Sequence, residues 1–421
     1  MSERDALQEA GTCRSGVNCL KLIWFGDGHA QGVLIIFALG AIALVMLLAL
    51  ASAFFPRESS QDTIRYFDQG FLEQAARYQR SSIGVFIINK LIIWLFYAAL
   101  IGFTWKYFAV YRPSSPWLVL GFVFLLLTAL LLLTFPLDHY RGFVMEHRFG
   151  LATSTFVNWL GDHAKSAGIS LVTSGFSFWI LYLLRNRFAD GWWIIAGLLL
   201  SIFLIVSVFL SPLLIDPLFY RFYPLKDEQM RSRIADMATE AGVDLDEVLV
   251  ADASRKTNKA NAYFTGLGGT KRVVIYDTLA TRFSAEESLA VIAHEIAHWR
   301  YGHVFKGIIL GIVGIFSALF ILHILAIKLG LGGGDMRIIP LALLFVSLLS
   351  FVAMPVGNSV SRHFERQADQ EAIRLTGDPE AHVSLFRNLA HVNLSEVEPH
   401  PYIEFLLYSH PPLMERIRAV K

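Results

Sequence analysis

The chain has 421 residues, of which 55% are hydrophobic and 17% are charged, and its mean hydropathy is +0.50. Soluble globular proteins carry about 25% charged residues, so this composition indicates a membrane protein. The formal net charge of +1 excludes a basic nucleic-acid-binding protein and a protein with an acidic tail. With two cysteines, the chain can build neither a disulfide framework nor a cysteine-based zinc module.

Seven apolar segments of roughly 20 residues are each long enough to cross a bilayer. They cover residues 33–55, 83–105, 117–135, 166–184, 191–215, 307–327 and 338–357. Lys90 is the only charged residue within them, and we expect it to pack or to snorkel towards the interface. Residues 1–32 form an N-terminal extension that does not match a cleaved signal peptide. The first apolar segment is therefore predicted to insert as a signal anchor.

The remaining sequence predicts a small α+β domain between and after the last spans. Residues 226–241 have the spacing of an amphipathic helix, which Gly242 ends. Residues 247–251, 260–265 and 272–276 are typical of β-strands, and the glycines of 266–269 indicate a hairpin between the last two. The predicted regions are the extension (1–32), spans one to five (33–215), a soluble stretch (216–306), spans six and seven (307–357) and a C-terminal helical segment (358–421).

A capped helix carries the first chemical motif. Ser284 and Glu287 form a capping box that opens a helix from 285 to about 300, which runs into the sixth span. On this helix, His294 and His298 are four residues apart, so both imidazoles can reach one tetrahedral Zn²⁺ while Glu295 reaches a water molecule beside it. The motif alone leaves open an amphipathic helix whose histidines and glutamate are merely solvated.

The third metal ligand can be sought by elimination. A metzincin would have glycine and histidine at the positions occupied by Tyr301 and Val304, so that pattern is excluded. His303 is near, but at about 100° per residue it is turned away from the face of His294 and His298. We therefore expect His303 either to contact a ligating residue without binding the metal itself or to lie at the membrane interface.

Glu365 is the favoured third ligand because spans six and seven form a hairpin with a turn at residues 330–335. The chain returns to the membrane face that it left, and His298 and Glu365 both lie within about three helical turns of a span's end. Asp369, one turn after Glu365, can accept the free ring N–H of a ligating histidine. The alternative is an exposed helix on which Arg362 and Arg366 pair with these carboxylates.

The motifs together resemble one family. They are His294-Glu-Ile-Ala-His298-Trp, Ser361-Arg-x-x-Glu365-x-x-Ala-Asp369, Ser409-His410-Pro-Pro-Leu-x-Glu-Arg416, and Pro217-Leu-Phe with Pro224-Leu225. This combination resembles the type I CAAX prenyl proteases, integral-membrane zinc metalloproteases of the gluzincin group. The resemblance covers nearly the whole chain from residue 33 and implies seven transmembrane helices that enclose a chamber. The chain is shorter than the eukaryotic members, and we can place no counterpart of its first 32 residues in them.

The resemblance also implies site roles. One Zn²⁺ would be bound by His294, His298 and Glu365, with Glu295 as the general base. His410 would stabilise the transition state, Arg416 matches a further active-site arginine, and Asn261, Ala262 and Tyr263 match a substrate-binding edge strand. From the residues alone, His410-Pro411-Pro412 could instead be a rigid turn and 260–265 an ordinary hairpin strand.

The implied reaction is peptide hydrolysis, with removal of the last three residues of farnesylated C-a-a-X proteins and a second cut nearer the N-terminus of a precursor. The partners expected are a peptide or protein substrate, possibly prenylated, and the lipid bilayer. One alternative is a quality-control protease that degrades or trims damaged membrane proteins. Another is a non-enzymatic membrane protein with a structural zinc, which needs a fourth ligand from among His303, His363 and His410.

Lys and Arg near the spans predict the orientation. The catalytic face has fourteen: Arg57, Arg65, Arg77, Arg80, Arg141, Arg148, Lys165, Arg221, Lys226, Arg300, Lys306, Arg362, Arg366 and Arg374. The opposite face has nine: Arg4, Arg14, Lys21, Lys106, Arg112, Arg185, Arg187, Lys328 and Arg337. The positive-inside rule places the zinc site and the C-terminus in the cytosol and the N-terminus outside. There, Cys13 and Cys19 could form a disulfide or remain free thiols.

Overall fold

The computed structural model describes residues 27–55, 59–108, 113–266 and 271–420, and it describes side chains from residue 33 onward. The predictions that concern Arg4, Cys13, Arg14, Cys19, Lys21, Arg57, Arg112 and the hairpin turn at 267–270 lie outside the described residues. In chain order, the α-helices are α1 (Asp27–Leu50), α2 (Gln61–Tyr66), α3 (Gln69–Tyr107), α4 (Pro116–His139), α5 (Glu146–Arg148), α6 (Phe156–Arg187), α7 (Trp192–Leu214), α8 (Glu228–Glu240), α9 (Asp277–Arg282), α10 (Ala285–Arg300), α11 (His303–Lys328), α12 (Ile338–Thr376), α13 (Pro379–Asn393), α14 (Pro401–Leu407) and α15 (Leu413–Val420).

Among the described residues, seven helices are long and apolar enough to cross a membrane, which confirms the seven predicted spans. They are α1, α3, α4, α6, α7, α11 and α12. The third of these spans begins with α4 and continues through a π-helical segment (Tyr140–Met145) into α5. Two of them, α3 and α12, have 39 residues each, more than the roughly 20 that cross a bilayer. They therefore extend beyond the membrane and carry side chains into the water-facing domain.

The predicted hairpin of spans six and seven is present, and the turn between them lies beside the end of span four. The Nη1 atom of Arg185, near the end of α6, donates to the carbonyl oxygen of Gly332 at 2.7 Å, and Nη2 also donates to that of Leu331. The hydroxyl of Tyr182 donates to the carbonyl oxygen of Gly334 at 3.2 Å. These contacts place the α6–α7 connection and the α11–α12 turn at one end of the helical bundle.

In the part of the chain that the structure describes, the sheet has four strands, one more than the sequence predicted. They are β1 (Phe222–Pro224), β2 (Glu247–Ala251), β3 (Ala262–Thr265) and β4 (Arg272–Tyr276), in the order β1-β2-β4-β3. The β3–β4 pair is antiparallel, as the hairpin prediction requires, whereas β2 and β4 are parallel and β1 pairs with β2 antiparallel. β3 is therefore an edge strand. The unpredicted β1 is too short for a period-2 pattern to be visible in the sequence.

One apolar core of the described residues joins segments that are far apart in the sequence. It contains side chains from the start of α3, from α8, from β2 and β4, from α10, from the end of α12 and from α13 and α15; its most buried members include Ile234, Val273, Leu279, Ile292 and Ile417. The apolar face of α8 was predicted from its spacing. Because α10 and α12 pack within this core, their polar faces have fixed positions relative to each other.

Candidate metal centre

Helix α10 is held at its start by the predicted capping box. Ser284 Oγ accepts from the backbone N–H of Glu287 at 3.1 Å, and Glu287 Oε2 accepts from the N–H of Ser284 at 2.8 Å. Glu287 is buried, and its other oxygen accepts from Ser384 and Asn388 on α13 at 2.6 Å each. A fully satisfied buried carboxylate fixes α10 against α13.

Three ligand-type side chains converge about two turns further along α10 and on α12. The Nε2 atoms of His294 and His298 are 3.0 Å apart. Glu365 Oε2 lies 3.1 Å from His294 Nε2, and Glu365 Oε1 lies 3.4 Å from His298 Nε2. Among the described residues, these three form the group whose ligand atoms all lie within 4.8 Å of one another. The sequence-predicted candidates therefore meet in space.

This donor set fits a metal ion, and zinc in particular. Two imidazoles and one carboxylate are a known ligand set of catalytic zinc sites. Zn–N and Zn–O bonds of about 2.0–2.1 Å place the ligand atoms of a tetrahedron about 3.3 Å apart, close to the 3.0–3.4 Å separations found here. Three protein ligands would also leave a fourth position for water or substrate, as catalytic sites require.

His294 has a charged partner behind it. Its Nδ1 atom is buried and lies 2.9 Å from Asp369 Oδ1, outside the direction of an ideal hydrogen bond. Arg416 holds Asp369 with Nε 2.8 Å from Oδ2 and Nη2 2.5 Å from Oδ1. The guanidinium of Arg416 also lies over the ring of Phe386, 4.3 Å from its centroid. The structure thus places Asp369 beside the ring of His294, and Arg416 contacts Asp369 from the other side.

Glu295 faces the edge strand β3. Burial raises the pKa of its carboxyl group, whereas a hydrogen bond from the backbone N–H of Phe264 acts in the opposite direction. The N–H of Tyr276 on β4 donates to the carbonyl oxygen of Asn261 at 3.0 Å. Because backbone groups alternate in direction along an antiparallel strand, those of Ala262 and Phe264 point away from β4, towards the site.

Side-chain contacts of two residues of β3 fix the position of this strand beside Glu295. The ring of Phe264 stacks on Trp299 of α10, with centroids 4.9 Å apart. The hydroxyl of Tyr263 donates to Asp216 Oδ2 at 2.8 Å, which ties the strand to the end of the fifth span. The predicted substrate segment at residues 261–263 therefore lies beside the metal centre. The contacts with α10 and with the end of the fifth span hold its backbone in place.

His410 lies at the open side of the centre. Its Nε2 atom is 3.4 Å from Glu365 Oε1, and its side chain is 59% exposed. A cavity of about 370 Å³ runs from His410 past His294 and Glu295; its other lining residues include Leu279, Val291, Leu385 and Leu389. His363, by contrast, is exposed on α12. The lining of the cavity combines apolar side chains with polar groups, which suits the side chain of an extended peptide.

The predicted direction of His303 is wrong. A continuous helix would turn it about 140° from His298, but α10 ends at Arg300, Gly302 takes a left-handed conformation with φ of 63°, and α11 begins at His303. The break turns the ring back, so that the Nδ1 atoms of His303 and His298 are 2.9 Å apart. The glycine before the sixth span is the sequence signal that could have revealed this break.

Comparison with known proteins agrees with the resemblance drawn from the motifs. Residues 224–421 match the model of peptidase family M48, and residues 61–221 match that of the CAAX prenyl protease N-terminal region with five membrane helices. The uncharacterized metalloprotease YhfN of Bacillus subtilis is 34% identical over 372 residues, 85% of this chain and 87% of that protein. CAAX prenyl protease 1 of Saccharomyces cerevisiae is 31% identical over 325 residues, 72% of this chain and 71% of that protein.

A solved structure shares the whole architecture. The crystal structure of S. mikatae Ste24p aligns with a TM-score of 0.75 and 25% identity, and the match covers 93% of this chain and 97% of that one. The seven candidate membrane helices and the small sheet of the described residues therefore belong to a fold that this solved structure shares. The chain belongs to peptidase family M48, among the CAAX prenyl proteases, and is an integral-membrane metalloendopeptidase.

Proposed function

We propose that the chain is a zinc-dependent endopeptidase that cleaves prenylated C-a-a-X proteins or related peptides, with one zinc ion held by His294, His298 and Glu365. The observation that carries the proposal is the convergence of these three donors beside Glu295 and the edge strand β3. When bound there, zinc supplies Lewis-acid polarisation of the scissile carbonyl and lowers the pKa of water.

Glu295 is the proposed general base. It lies next to a ligand histidine in the sequence and at the wall of the cavity, so its carboxylate can take a proton from the attacking water. Its place at the cavity wall also lets it pass that proton to the leaving amine. The N–H of Phe264 keeps the carboxylate oriented during both transfers.

His410 is the proposed donor to the developing oxyanion. Its ring is exposed to the cavity, and its Nε2 atom lies 3.4 Å from a ligand oxygen of Glu365. An N–H in this position can strengthen its hydrogen bond as negative charge grows on the substrate oxygen. Arg416 is proposed to act indirectly. It holds Asp369 in place, and Asp369 faces the ring of His294.

The edge strand is the proposed substrate-binding element. An extended peptide that pairs with the outward backbone groups of Ala262 and Phe264 lies alongside Glu295. Pairing of this kind recognises the peptide backbone and only weakly its sequence. This backbone recognition favours a second candidate function, the trimming of damaged membrane proteins, because such a site also accepts unprenylated extended peptides.

The test compares two substrates on the full-length protein in detergent. A farnesylated C-a-a-X peptide and its unprenylated twin are assayed with and without a zinc chelator. Cleavage of the farnesylated peptide alone, abolished by the chelator, supports the prenyl-protein substrate. Equal cleavage of both peptides supports the trimming function, and chelator-resistant cleavage contradicts the zinc proposal.

A further inference from the structure

His303 is buried where two spans and the zinc-site helix meet. It is 5% exposed, and its ring stacks on Phe364 of α12 with centroids 4.3 Å apart and an angle of 8° between the planes. The ring of Tyr301 lies beside it at 5.8 Å and 19°. The helix break at Gly302 and this stacking together fix the plane and the position of the imidazole.

Both ring nitrogens of His303 have partners. Its Nδ1 atom faces His298 Nδ1 at 2.9 Å, and its Nε2 atom lies 3.1 Å from Oε1 of Gln367, two residues after Glu365 on α12. A continuous hydrogen-bonded chain thus runs from Gln367 through His303 to His298. The other nitrogen of His298, Nε2, is the one that faces His294 and Glu365.

The proton positions along this chain follow from the proposed ligation of His298 through Nε2. A ligating Nε2 carries no proton, so His298 is protonated on Nδ1 and donates to Nδ1 of His303. His303 is then protonated on Nε2 and donates to the side-chain oxygen of Gln367. A donor in place of the Gln367 oxygen would reverse every bond and leave His298 Nε2 protonated.

His294 and His298 therefore differ in the group that faces their Nδ1 atom. His294 faces a carboxylate, Asp369, whereas His298 faces a neutral imidazole. In zinc proteins, such outer partners set the tautomer and the ring orientation of the ligating histidine. A neutral partner sets both for His298 without adding a further negative charge to a site that already holds Glu365 and Asp369.

We propose that His303 and Gln367 are positioning residues that hold His298 in its metal-binding tautomer. The inference rests on the proposed function, because it takes His298 as a zinc ligand. It assigns the two residues no contact with substrate, so their loss acts on metal affinity and on the geometry of the bound ion.

The test uses the full-length chain in detergent and zinc affinity measured by competition with a chromophoric chelator. His303→Phe keeps an aromatic ring to stack on Phe364 but has no acceptor for His298. Gln367→Leu removes the acceptor of His303, and Gln367→Glu restores one. His363→Phe makes the same change at an exposed position of α12 and serves as the matched control.

We expect His303→Phe to weaken zinc binding by about 10–100-fold, the range for outer partners of metal ligands. Gln367→Leu should weaken it in the same direction, Gln367→Glu should recover most of that loss, and His363→Phe should bind as the unmodified chain does. The visible spectrum of the Co²⁺-substituted protein should change in His303→Phe and Gln367→Leu. Thermal unfolding of the chelator-treated variants separates these effects from simple destabilisation.

The outcomes separate this inference from the proposed function. If the unmodified chain binds no zinc, or if His298→Ala binds it as tightly, the zinc site itself is wrong. If those two behave as proposed while His303→Phe keeps full affinity and an unchanged Co²⁺ spectrum, the positioning role alone is overturned. If His303→Phe fails to fold, the Gln367 variants decide. Full zinc affinity in Gln367→Leu contradicts the hydrogen-bonded chain from Gln367 to His298. So does a Gln367→Glu variant that binds zinc as weakly as Gln367→Leu.

Discussion

His298 and Glu365 precede and follow a membrane hairpin in the sequence, yet His298 Nε2 lies 3.4 Å from Glu365 Oε1. The contact depends on α11 and α12 being long enough to leave the membrane face and return to it. Helix α12 continues well beyond its apolar part to Thr376, and the extension carries Glu365 to α10. The metal centre is thus assembled by the membrane fold.

Removal of Glu365 should empty the centre. We expect the unmodified chain to carry one zinc ion. In Glu365→Ala only two imidazoles are left to bind it, so zinc affinity should fall further than the loss of about 10–100-fold that is typical when an outer partner of a ligand is removed. Elemental analysis of the purified proteins measures this directly. Glu380→Ala, at an exposed position of α13, is the control. Equal zinc content in Glu365→Ala would remove Glu365 from the site.

Glu295→Gln should separate catalysis from metal binding. The amide has nearly the shape of the carboxylate but cannot take a proton, so turnover of a cleaved peptide should fall by roughly 10²–10⁴-fold, the usual contribution of a general base. Zinc content and thermal unfolding should match those of the unmodified protein. Retained turnover in a zinc-loaded Glu295→Gln variant would contradict the assigned role of Glu295.

Much of this centre could be predicted from local patterns. The i, i+4 spacing of His294 and His298 and the capping box at Ser284 are properties of one helix. Glu365 required a topological argument, and the seven spans supplied it. The direction of His303 could not be obtained by counting residues, because a left-handed Gly302 interrupts the helical period. The short β1 and the place of β3 at the sheet edge depend on long-range pairing that no local pattern specifies.

The Asp369–Arg416 pair should matter more for stability than exposed ion pairs do. Both side chains are largely buried, with 12% and 10% of their surface exposed. Asp369→Ala leaves Arg416 buried without its counter-ion, which typically costs about 3–5 kcal/mol. The pair between Arg366 and Glu415 is 46% and 40% exposed, so Glu415→Ala should cost about 1 kcal/mol or less. Chemical unfolding of the chelator-treated proteins measures the free energy of unfolding of both variants. Equal losses of stability in Asp369→Ala and Glu415→Ala would contradict the prediction.

Sidedness can be tested by thiol labelling. The distribution of Lys and Arg predicts that the α11–α12 turn lies outside and α13 inside. In a chain whose two cysteines are replaced by serine, Gly332→Cys should react with a membrane-impermeant maleimide added to intact cells. Glu380→Cys should react only after permeabilisation. Labelling of Glu380→Cys in intact cells, with Gly332→Cys protected, would reverse the proposed orientation.

His382 should make the stability of the protein depend on pH. This histidine is 1% exposed on α13, its Nε2 atom lies 3.0 Å from the hydroxyl of Thr376, and burial lowers its pKa from the ordinary 6.5 to about 4. Below pH 6.5 the unfolded chain takes up a proton that the folded chain does not. The contribution of neutral His382 is therefore complete above pH 6.5 and is lost as the pH falls towards 4.

The expected size of this effect is up to about 3 kcal/mol across that interval, since each pKa unit corresponds to 1.36 kcal/mol. His382→Gln keeps a polar partner for Thr376 but does not titrate, so its free energy of unfolding should fall less between pH 6.5 and pH 4.5. Carboxylates that titrate in the same range contribute equally to both proteins and cancel in the difference. His363→Gln, at an exposed position, should follow the unmodified chain. Parallel curves for His382→Gln and the unmodified protein, measured by chemical unfolding after chelation, would show that His382 is protonated as readily in the folded state as in the unfolded one.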